Sequence, residues 1–242
     1  MAAALMILGV ACGGDEDTDT EATAAPSGDA TTAATAAATP AADSTEPQVL
    51  RVQLEGEPGT LDPQAVTDTD SISVVRQLYS GLLRLDEDQN LTSDLAEVPT
   101  LDNGGISADG LTYTFSLNDG LVWSDGEPLV AQAFVDAAKR IFAPGSANFY
   151  ADFYRVIAAG GAQAALSQGL ADGVEGDALT ALEQAVVDGL EVTAPDDQTV
   201  VFQLNAPSPI FPLLATLWTI FPVRQDIADS AGDAWTEAGT LV

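Results

Sequence analysis

The sequence predicts a mixed α/β protein in which strands and helices follow one another without a regular alternation. Several short segments alternate apolar and polar residues, as half-buried strands do. Other segments place apolar residues at helical spacing, and Gly, Asn and Asp separate the two kinds. Because no strict strand–helix–strand repeat is present, the elements favour a mixed α+β arrangement over a doubly wound parallel sheet.

The first 48 residues are predicted to stay outside the folded part. Residues 1–11 are an apolar run well below the roughly 20 residues that span a bilayer. Small residues then precede Cys12, and this pattern resembles the export signal of a bacterial lipoprotein, which implies a lipid on Cys12; a free thiol is the alternative. No Lys or Arg precedes the run, so we expect that the natural chain begins earlier. Residues 12–48 predict a disordered, acidic, Ala- and Thr-rich tether.

The folded part is expected to begin near Val49 with a strand and a helix. Apolar and polar residues alternate over 50–56, which predicts a half-buried strand. Asp70 or Ser71 can cap a helix that runs to about Ser80. Gly81 then suits the first position beyond the helix end.

The region 82–128 contains predicted strands, and its part at 103–128 is typical of an antiparallel meander. A short strand is predicted at 82–86 and a stronger one at 112–117, where Thr and Ser alternate with aromatic and aliphatic residues. Asn-Gly and Asp-Gly pairs recur around the second strand, and such pairs favour tight turns. The turn at 124–126 is therefore interpreted as structural, and a catalytic acid there is not expected.

The remaining elements are mainly helical. They are a helix at 129–142, helical pieces joined by Gly-rich loops at 149–190, a hairpin at 190–204, an apolar helix at 208–220, and a short helix from Ile227 to Trp235. These assignments rest on helical spacing in the helices and on alternation in the hairpin.

Composition excludes several classes of function. The chain has 37 Asp and Glu against 7 Lys and Arg, a formal net charge of −30, so phosphate backbones and anionic membranes would be repelled. Such acidity mainly favours solubility, and attraction of cationic ligands is the alternative. There is no His, and Cys12 is the single Cys, so His-dependent triads and Cys/His zinc sites are excluded within this chain.

Four segments carry a resemblance to a known family. They read TLDP at 60–63, RQLYSGLLRLD at 76–86, DGLTYTFSLNDGLVWSDGEP at 109–128 and LEVTAPDDQTVVFQLNAPSPIF at 190–211. In this order and spacing they resemble the oligopeptide- and dipeptide-binding proteins of ABC importers, solute-binding protein family 5. The resemblance runs from about residue 49 to residue 242.

The resemblance implies two lobes that close on a ligand and an additional domain inserted into the first lobe. Residues 49–79 and 224–242 would be pieces of lobe I, and residues 80–223 the additional domain. Members of the family continue well beyond this length, so we expect lobe II to be absent from this chain. Such a chain alone is expected to bind peptides weakly or not at all.

The resemblance also implies ligand contacts. The backbone of Thr67, Asp68 and Thr69 would pair with a bound peptide like an added strand; capping of the next helix is the alternative. Tyr150, six residues after a Pro, would face a ligand side chain, and a place in the core is the alternative. The family usually has Thr and Asp where this chain has Val130 and Ala133, so the helix at 129–142 should lack a capping box.

The function implied is reversible binding of oligopeptides or dipeptides and their delivery to ABC permease subunits. The protein would be an extracytoplasmic, lipid-anchored monomer that binds no nucleic acid, uses no cofactor or metal, and is not an enzyme. Other solutes of the same family, such as nickel or sugars, remain alternatives. An acidic secreted hydrolase with two carboxylates and an adhesive lipoprotein on an acidic stalk are less favoured.

Overall fold

A three-stranded antiparallel sheet and a helix packed on it form the centre of the structure, which is a computed structural model describing residues 49–146 and 148–242. The predictions for residues 1–48, including Cys12, lie outside the described residues. The α-helices are α1 Thr69–Leu78, α2 Gln132–Ile141, α3 Ala162–Ala171, α4 Asp177–Gly189, α5 Phe211–Leu214 and α6 Gln225–Ala231. The strands are β1 Leu83–Leu85, β2 Leu91–Ser93, β3 Thr112–Ser116, β4 Val192–Asp196 and β5 Thr199–Gln203, and 3₁₀ turns cover Ala151–Val156, Trp218–Ile220 and Gly232–Thr236.

The central sheet has the order β3-β5-β4, and all of its pairs are antiparallel. β3 pairs with β5 in a register that places Tyr113 opposite Phe202. The rings of Phe115 and Phe202 meet edge to face with centroids 5.7 Å apart. The meander predicted at 103–128 is present only as isolated antiparallel bridges, Ile106 with Tyr113 and Val122 with Pro128. Along its length β3 pairs instead with β5, which is distant in sequence, and packing of the buried aromatic face favours that pairing. β1 and β2 form a separate hairpin.

The main core lies between the central sheet, α2 and the segment around α5. α2 contacts β4 and β5, and its apolar face is buried as the helical spacing predicts. The largest fully buried side chains of this core include Tyr154, Phe115, Phe134, Phe202 and Phe211. α3 and α4 pack against each other beside it. The predicted fold class, a mixed α/β arrangement, is confirmed.

Two local predictions near the start of the folded part are wrong. Residues 50–56 form no strand, and Leu50 and Val52 are 87% and 72% exposed; no strand within 49–146 or 148–242 pairs with them to satisfy their backbone groups. Gly81 does not follow a helix end directly, since α1 ends at Leu78 and Tyr79 is its C-cap. Gly81 instead permits a close approach, because a Cβ there would lie 2.4 Å from a ring atom of Phe221.

The predicted apolar helix at 208–220 is broken into α5 and a 3₁₀ turn. The hydroxyl of Thr216 donates to the carbonyl of Leu213 at 2.8 Å, and the hydroxyl of Tyr154 donates to the carbonyl of Leu214 at 3.1 Å. In a continuing helix, the carbonyls of Leu213 and Leu214 would accept hydrogen bonds from backbone N–H groups four residues later. The two hydroxyl groups compete for these carbonyls. Leu217 is then extended, which ends the helical run.

Other local predictions are confirmed. α2 begins at an N-cap, Ala131, that makes no side-chain capping bond, as expected from Val130 and Ala133. Gly126 has a positive φ of 92° in a tight turn, and the carboxylate of Asp125 is paired with Arg224. Within the described residues, none of the helices has the length and apolar character needed to cross a membrane.

Candidate functional site

A tight turn at the TLDP segment positions the chain that leads into α1. The backbone N–H groups of Ala65 and Val66 donate to the carbonyl of Asp62 at 3.0 and 3.1 Å. The N–H of Gln64 donates to Oδ1 of Asp62 at 2.9 Å. Oδ1 of Asp62 therefore stabilises the turn by accepting a bond within it. Oδ2 of Asp62 is left to accept from a donor outside the turn.

Arg140 of α2 binds this turn with a bidentate ion pair. Its Nη1 and Nη2 donate to the two carboxylate oxygens of Asp62 at 2.6 and 2.5 Å, and Nη1 also donates to Oε1 of Gln64. Gln64 in turn donates to the carbonyls of Thr219 and Phe221 at 3.1 and 2.9 Å. The chain before α1 is thereby fixed to two elements that are distant in sequence.

Two aromatic side chains, Trp235 and Tyr79, lie near the ion pair. The guanidinium carbon of Arg140 lies 5.4 Å from the ring centroid of Trp235, within the range of a cation–π contact. The hydroxyl of Tyr79 is buried and has no hydrogen-bond partner in the described part of the chain. Burial raises the pKa of Tyr79, and the negative charge of Asp62 raises it further.

An open cavity of about 310 Å³ lies between the turn at 62–65 and the loop that follows α2. We call it the polar groove; it is lined by Asp62, Gln64, Ala65, Arg140, Ala143, Pro144, Gly145, Ser146 and Asn148. Oδ1 of Asn148 accepts a hydrogen bond from the N–H of Tyr150 at 2.9 Å, while its buried Nδ2 has no partner among the described residues. A buried donor without a partner is costly, so an acceptor from a ligand would be stabilising there.

Thr67 and Asp68 lie just before α1 and Thr69 is its first residue, and all three are exposed. The carboxylate of Asp68 accepts from the N–H of Ser71 at 2.8 Å, so the capping interpretation is confirmed for this side chain. Hydrogen bonding to Ser71 lowers the pKa of Asp68. Within the described ranges, none of the three backbone N–H groups donates to a backbone carbonyl. The cap therefore uses the side chain of Asp68, and the three backbone N–H groups have no backbone acceptor among the described residues.

Tyr150 belongs to a group of rings that we call the aromatic cluster, made of Phe149, Tyr150, Phe153 and Trp218. The centroid of Tyr150 lies 5.3, 6.1 and 5.1 Å from those of Phe149, Phe153 and Trp218. Tyr150 is half-buried. It packs mainly against partly exposed rings, so it stands at the edge of the core.

Trp218 connects the aromatic cluster to the chain before α1. Its ring packs against the small core of Val66, Val75 and Phe221. Arg76 of α1 lies over the same indole at 5.4 Å. Trp218 therefore links Tyr150 to the small core that contains Val66, the residue before Thr67.

Sequence reasoning missed the residues that build this site. Asp62 and Arg140 are 78 residues apart, and no spacing rule links them. Trp218 stood in a segment interpreted as an ordinary apolar helix. The one signal in the sequence was the Asp of the TLDP motif. A charged residue in a partly buried turn needs a partner of opposite charge, so this Asp could have predicted an ion pair.

No group of three or more His, Cys, Asp or Glu side chains in 49–146 and 148–242 is arranged to hold a metal ion. The site instead offers hydrogen-bond donors, the polar groove and aromatic surface. These are features of a site that binds an organic ligand.

Comparison with known proteins identifies the family of this chain. The sequence model of the bacterial extracellular solute-binding proteins, family 5 (middle region), matches residues 90–240. The chain belongs to this family. It is 32% identical over 199 residues to the oligopeptide-binding protein OppA of Bacillus subtilis, covering 81% of this chain and 32% of that protein. It is 33% identical over 195 residues to the probable deoxycholate-binding periplasmic protein YgiS of Escherichia coli, covering 81% and 33%.

Solved structures agree with this assignment. The murein tripeptide-binding protein MppA of Escherichia coli matches with a TM-score of 0.62 and 30% identity, over 78% of this chain and 33% of that chain. OppA of Haemophilus influenzae in complex with the peptide RPPGFSPFR matches with a TM-score of 0.59 and 27% identity, over 76% and 32%. The chain thus spans about a third of the length of the relatives that it matches.

Proposed function

We propose that this chain is part of an extracytoplasmic binding protein that captures oligopeptides or dipeptides reversibly and delivers them to ABC permease subunits. The backbone of Thr67–Thr69 pairs with the peptide main chain, and Tyr150 contacts a peptide side chain. Support comes from the peptide-binding relatives and from the arrangement of the polar groove. The protein acts by binding, without a catalytic step.

The observation that carries the proposal is the set of exposed backbone donors beside the polar groove. Asp68 is extended, with φ −98° and ψ 155°, which is the conformation of a strand. The N–H groups of Thr67 and Thr69 flank this extended residue, and they are the donors that pairing with a peptide main chain would use. Main-chain bonds of this kind bind a peptide without selecting its side chains.

Several parts of the proposal concern the organisation of the protein. Residues 49–79 and 224–242 contribute to lobe I, and residues 80–223 form the additional domain. A lipid on Cys12 anchors a monomer at the outer face of the membrane. A disordered acidic tether at 12–48 holds the folded part away from that surface.

The experiment is an NMR titration of the ¹⁵N-labelled 242-residue chain with Ala pentapeptide at millimolar concentration. We expect amide shifts at Thr67–Thr69 and at Tyr150. In Thr69→Pro one donor is removed, and the substitution is compatible with the fold because Thr69 is the first helical residue and Asp68 is already extended. Thr69→Ala is the matched control, since it keeps the N–H.

Peptide affinity should fall at least threefold in Thr69→Pro and stay within twofold of wild type in Thr69→Ala. Peptide-dependent amide shifts that spare Thr67–Thr69, or equal affinities in the two variants, would contradict backbone pairing. Mass spectrometry of the recovered peptide tests the hydrolase alternative, which predicts cleavage.

The second candidate function is binding of a solute other than a peptide. One relative is named as a probable deoxycholate-binding protein, so deoxycholate is the ligand to test. Trp218 and Arg76 together offer an apolar face and a cation, which suit an apolar carboxylate. The formal charge of −30 opposes binding of an anion. If deoxycholate shifts the Tyr150 amide and pentapeptide does not, the peptide proposal is wrong.

A further inference from the structure

The hairpin of β1 and β2 ends in an exposed loop, residues 86–90. Every residue from Arg84 to Asn90 is exposed. The carboxylate of Asp86 holds the loop, since its Oδ1 accepts from the N–H groups of Asp88 and Asn90 at 2.9 and 2.8 Å. The N–H of Asp86 also donates to the carbonyl of Asn90 at 2.9 Å. The loop therefore presents its side chains to solvent on a defined backbone.

Asn90 begins the tripeptide Asn90-Leu91-Thr92, which has the acceptor sequence for N-linked glycans. This sequence requires Ser or Thr two residues after the Asn and any residue except Pro between them. The chain has five Asn residues, and the other four are followed two places later by Gly, Gly, Tyr and Pro: Asn103, Asn118, Asn148 and Asn205. The single acceptor sequence of the chain thus coincides with the exposed loop.

The side-chain amide of Asn90 is accessible to an enzyme. Its Nδ2 donates to Oδ2 of Asp86 at 3.3 Å, which is longer than the roughly 2.7–3.2 Å of ordinary N–H···O bonds. Thr92 lies in β2, opposite Arg84, and is half-buried. β1 and β2 pair over only three residues each, and a two-stranded hairpin by itself is marginally stable. Local opening of the hairpin therefore exposes the hydroxyl of Thr92 as well as the amide of Asn90.

The family of this chain agrees with such a use of the tripeptide. Its members are described as extracellular solute-binding proteins, and N-linked glycans are attached to surface loops of exported proteins. The competing interpretation is purely structural, with the amide of Asn90 serving only to close the loop on Asp86.

We propose that Asn90 is a site of N-linked glycosylation. Nδ2 of Asn90 attacks the anomeric carbon of an oligosaccharide that is carried on a lipid diphosphate. The new C–N bond forms as the bond from the anomeric carbon to the diphosphate oxygen breaks, and the lipid diphosphate leaves with the electron pair. The amide gives up one proton to a base of the transferase, and nothing is oxidised or reduced. The lipid-linked oligosaccharide and the transferase are supplied by the cell that exports the protein.

The glycosylation site is separate from the proposed peptide site. Residues 86–92 do not line the polar groove, and they are not part of the aromatic cluster. The inference goes beyond the proposed function and does not depend on it, because Asn90 can carry a glycan whether or not the chain binds peptides. A bulky, hydrophilic glycan at this position would cover the end of the hairpin.

The test is mass spectrometry of the protein isolated from the organism that produces it. Digestion with a protease specific for Glu releases residues 88–97, which contain Asn90 and no other Asn. We expect this peptide to exceed the mass of its amino acids by whole sugar residues, with the sugar on Asn90 in fragment spectra.

Variants produced in the same organism identify the attachment. Asn90→Gln and Thr92→Ala should each abolish the added mass, the first by removing the acceptor and the second by removing the hydroxyl that the acceptor sequence requires. Thr92→Ser is the matched control and should retain added mass, because Ser also satisfies the sequence. Urea unfolding of the three variants checks that each is folded, and either Asn90→Gln or Thr92→Ala suffices if the other is not.

Each outcome decides the inference. An unmodified peptide 88–97 from the wild-type protein overturns it and leaves the proposed function standing. Added mass that persists in Asn90→Gln assigns the sugar to a hydroxyl of Thr92 or Ser93 and also overturns it. Added mass that persists in Thr92→Ala shows that the tripeptide is not what the transferase recognises, with the same consequence. If titration with peptides gives no binding while Asn90 carries sugar, the proposed function fails and this inference stands.

Discussion

Replacing Arg140 with Met should strongly destabilise the fold and release the chain before α1. The substitution removes both hydrogen bonds to Asp62 and the bond to Oε1 of Gln64, while Met keeps most of the apolar stem. Breaking a fully buried ion pair costs about 3–5 kcal/mol because one charge is left unpaired. Here the side chains of Arg140 and Asp62 are 21% and 13% exposed, so water partly replaces the donor. We therefore expect a loss of about 2–3 kcal/mol in the free energy of unfolding.

Urea unfolding followed by tryptophan fluorescence measures this loss. Arg155→Met is the matched control, because the partner Asp152 is 83% exposed and an exposed pair is worth at most about 1 kcal/mol. The double variant Asp62→Asn/Arg140→Met should cost about 1 kcal/mol less than the sum of its single variants, since neither partner is then left charged and alone. If Arg140→Met loses no more stability than Arg155→Met, the ion pair does not hold the TLDP turn.

Three further substitutions test the packing and the cap. Gly81→Ala should cost about 1–3 kcal/mol because its Cβ meets the ring of Phe221, and Phe221→Leu in the same chain should recover part of that loss in urea unfolding. Tyr154→Phe should cost about 1–2 kcal/mol, since it leaves the buried hydroxyl of Thr219 without the partner at 2.7 Å; an unchanged unfolding midpoint would contradict this. Asp68→Ala should lower the unfolding midpoint at pH 7 and less so in acid. The folded pKa of Asp68 is lowered, so its contribution is present above the unfolded pKa of about 3.9 and is lost as the pH falls through the folded value. An effect of Asp68→Ala that is equal at pH 7 and pH 2.5 would refute the role of the ionised cap.

Predictions from local sequence patterns are confirmed where residues close together in the chain also decide the structure. The strand at 112–117 and the helix at 129–142 were predicted because their buried faces repeat at the period of the element. The uncapped start of α2 followed from Val130 and Ala133 for the same reason, because capping depends on residues within one turn.

The ligand site was predicted only in part. Thr67, Asp68, Thr69 and Tyr150 were proposed as contacts from the family resemblance, and these contacts stay a prediction. Asp68 also proved to be the N-cap of α1, so the prediction of Asp70 or Ser71 as the cap is wrong. Arg140, Trp218 and the exposed rings beside Tyr150 were not proposed, because each depends on neighbours that are distant along the chain.

The sequence by itself determined the mixed fold class, the family, and the strongly acidic character of the protein. These properties follow from composition, short-range periodicity and ordered motifs, none of which needs a three-dimensional neighbour. Tertiary structure alone decided that β3 pairs with β5, that Gly81 accommodates the ring of Phe221, and that Arg140 binds Asp62. Such contacts join residues far apart in the chain, and their energies depend on burial and orientation, which only the packed fold defines.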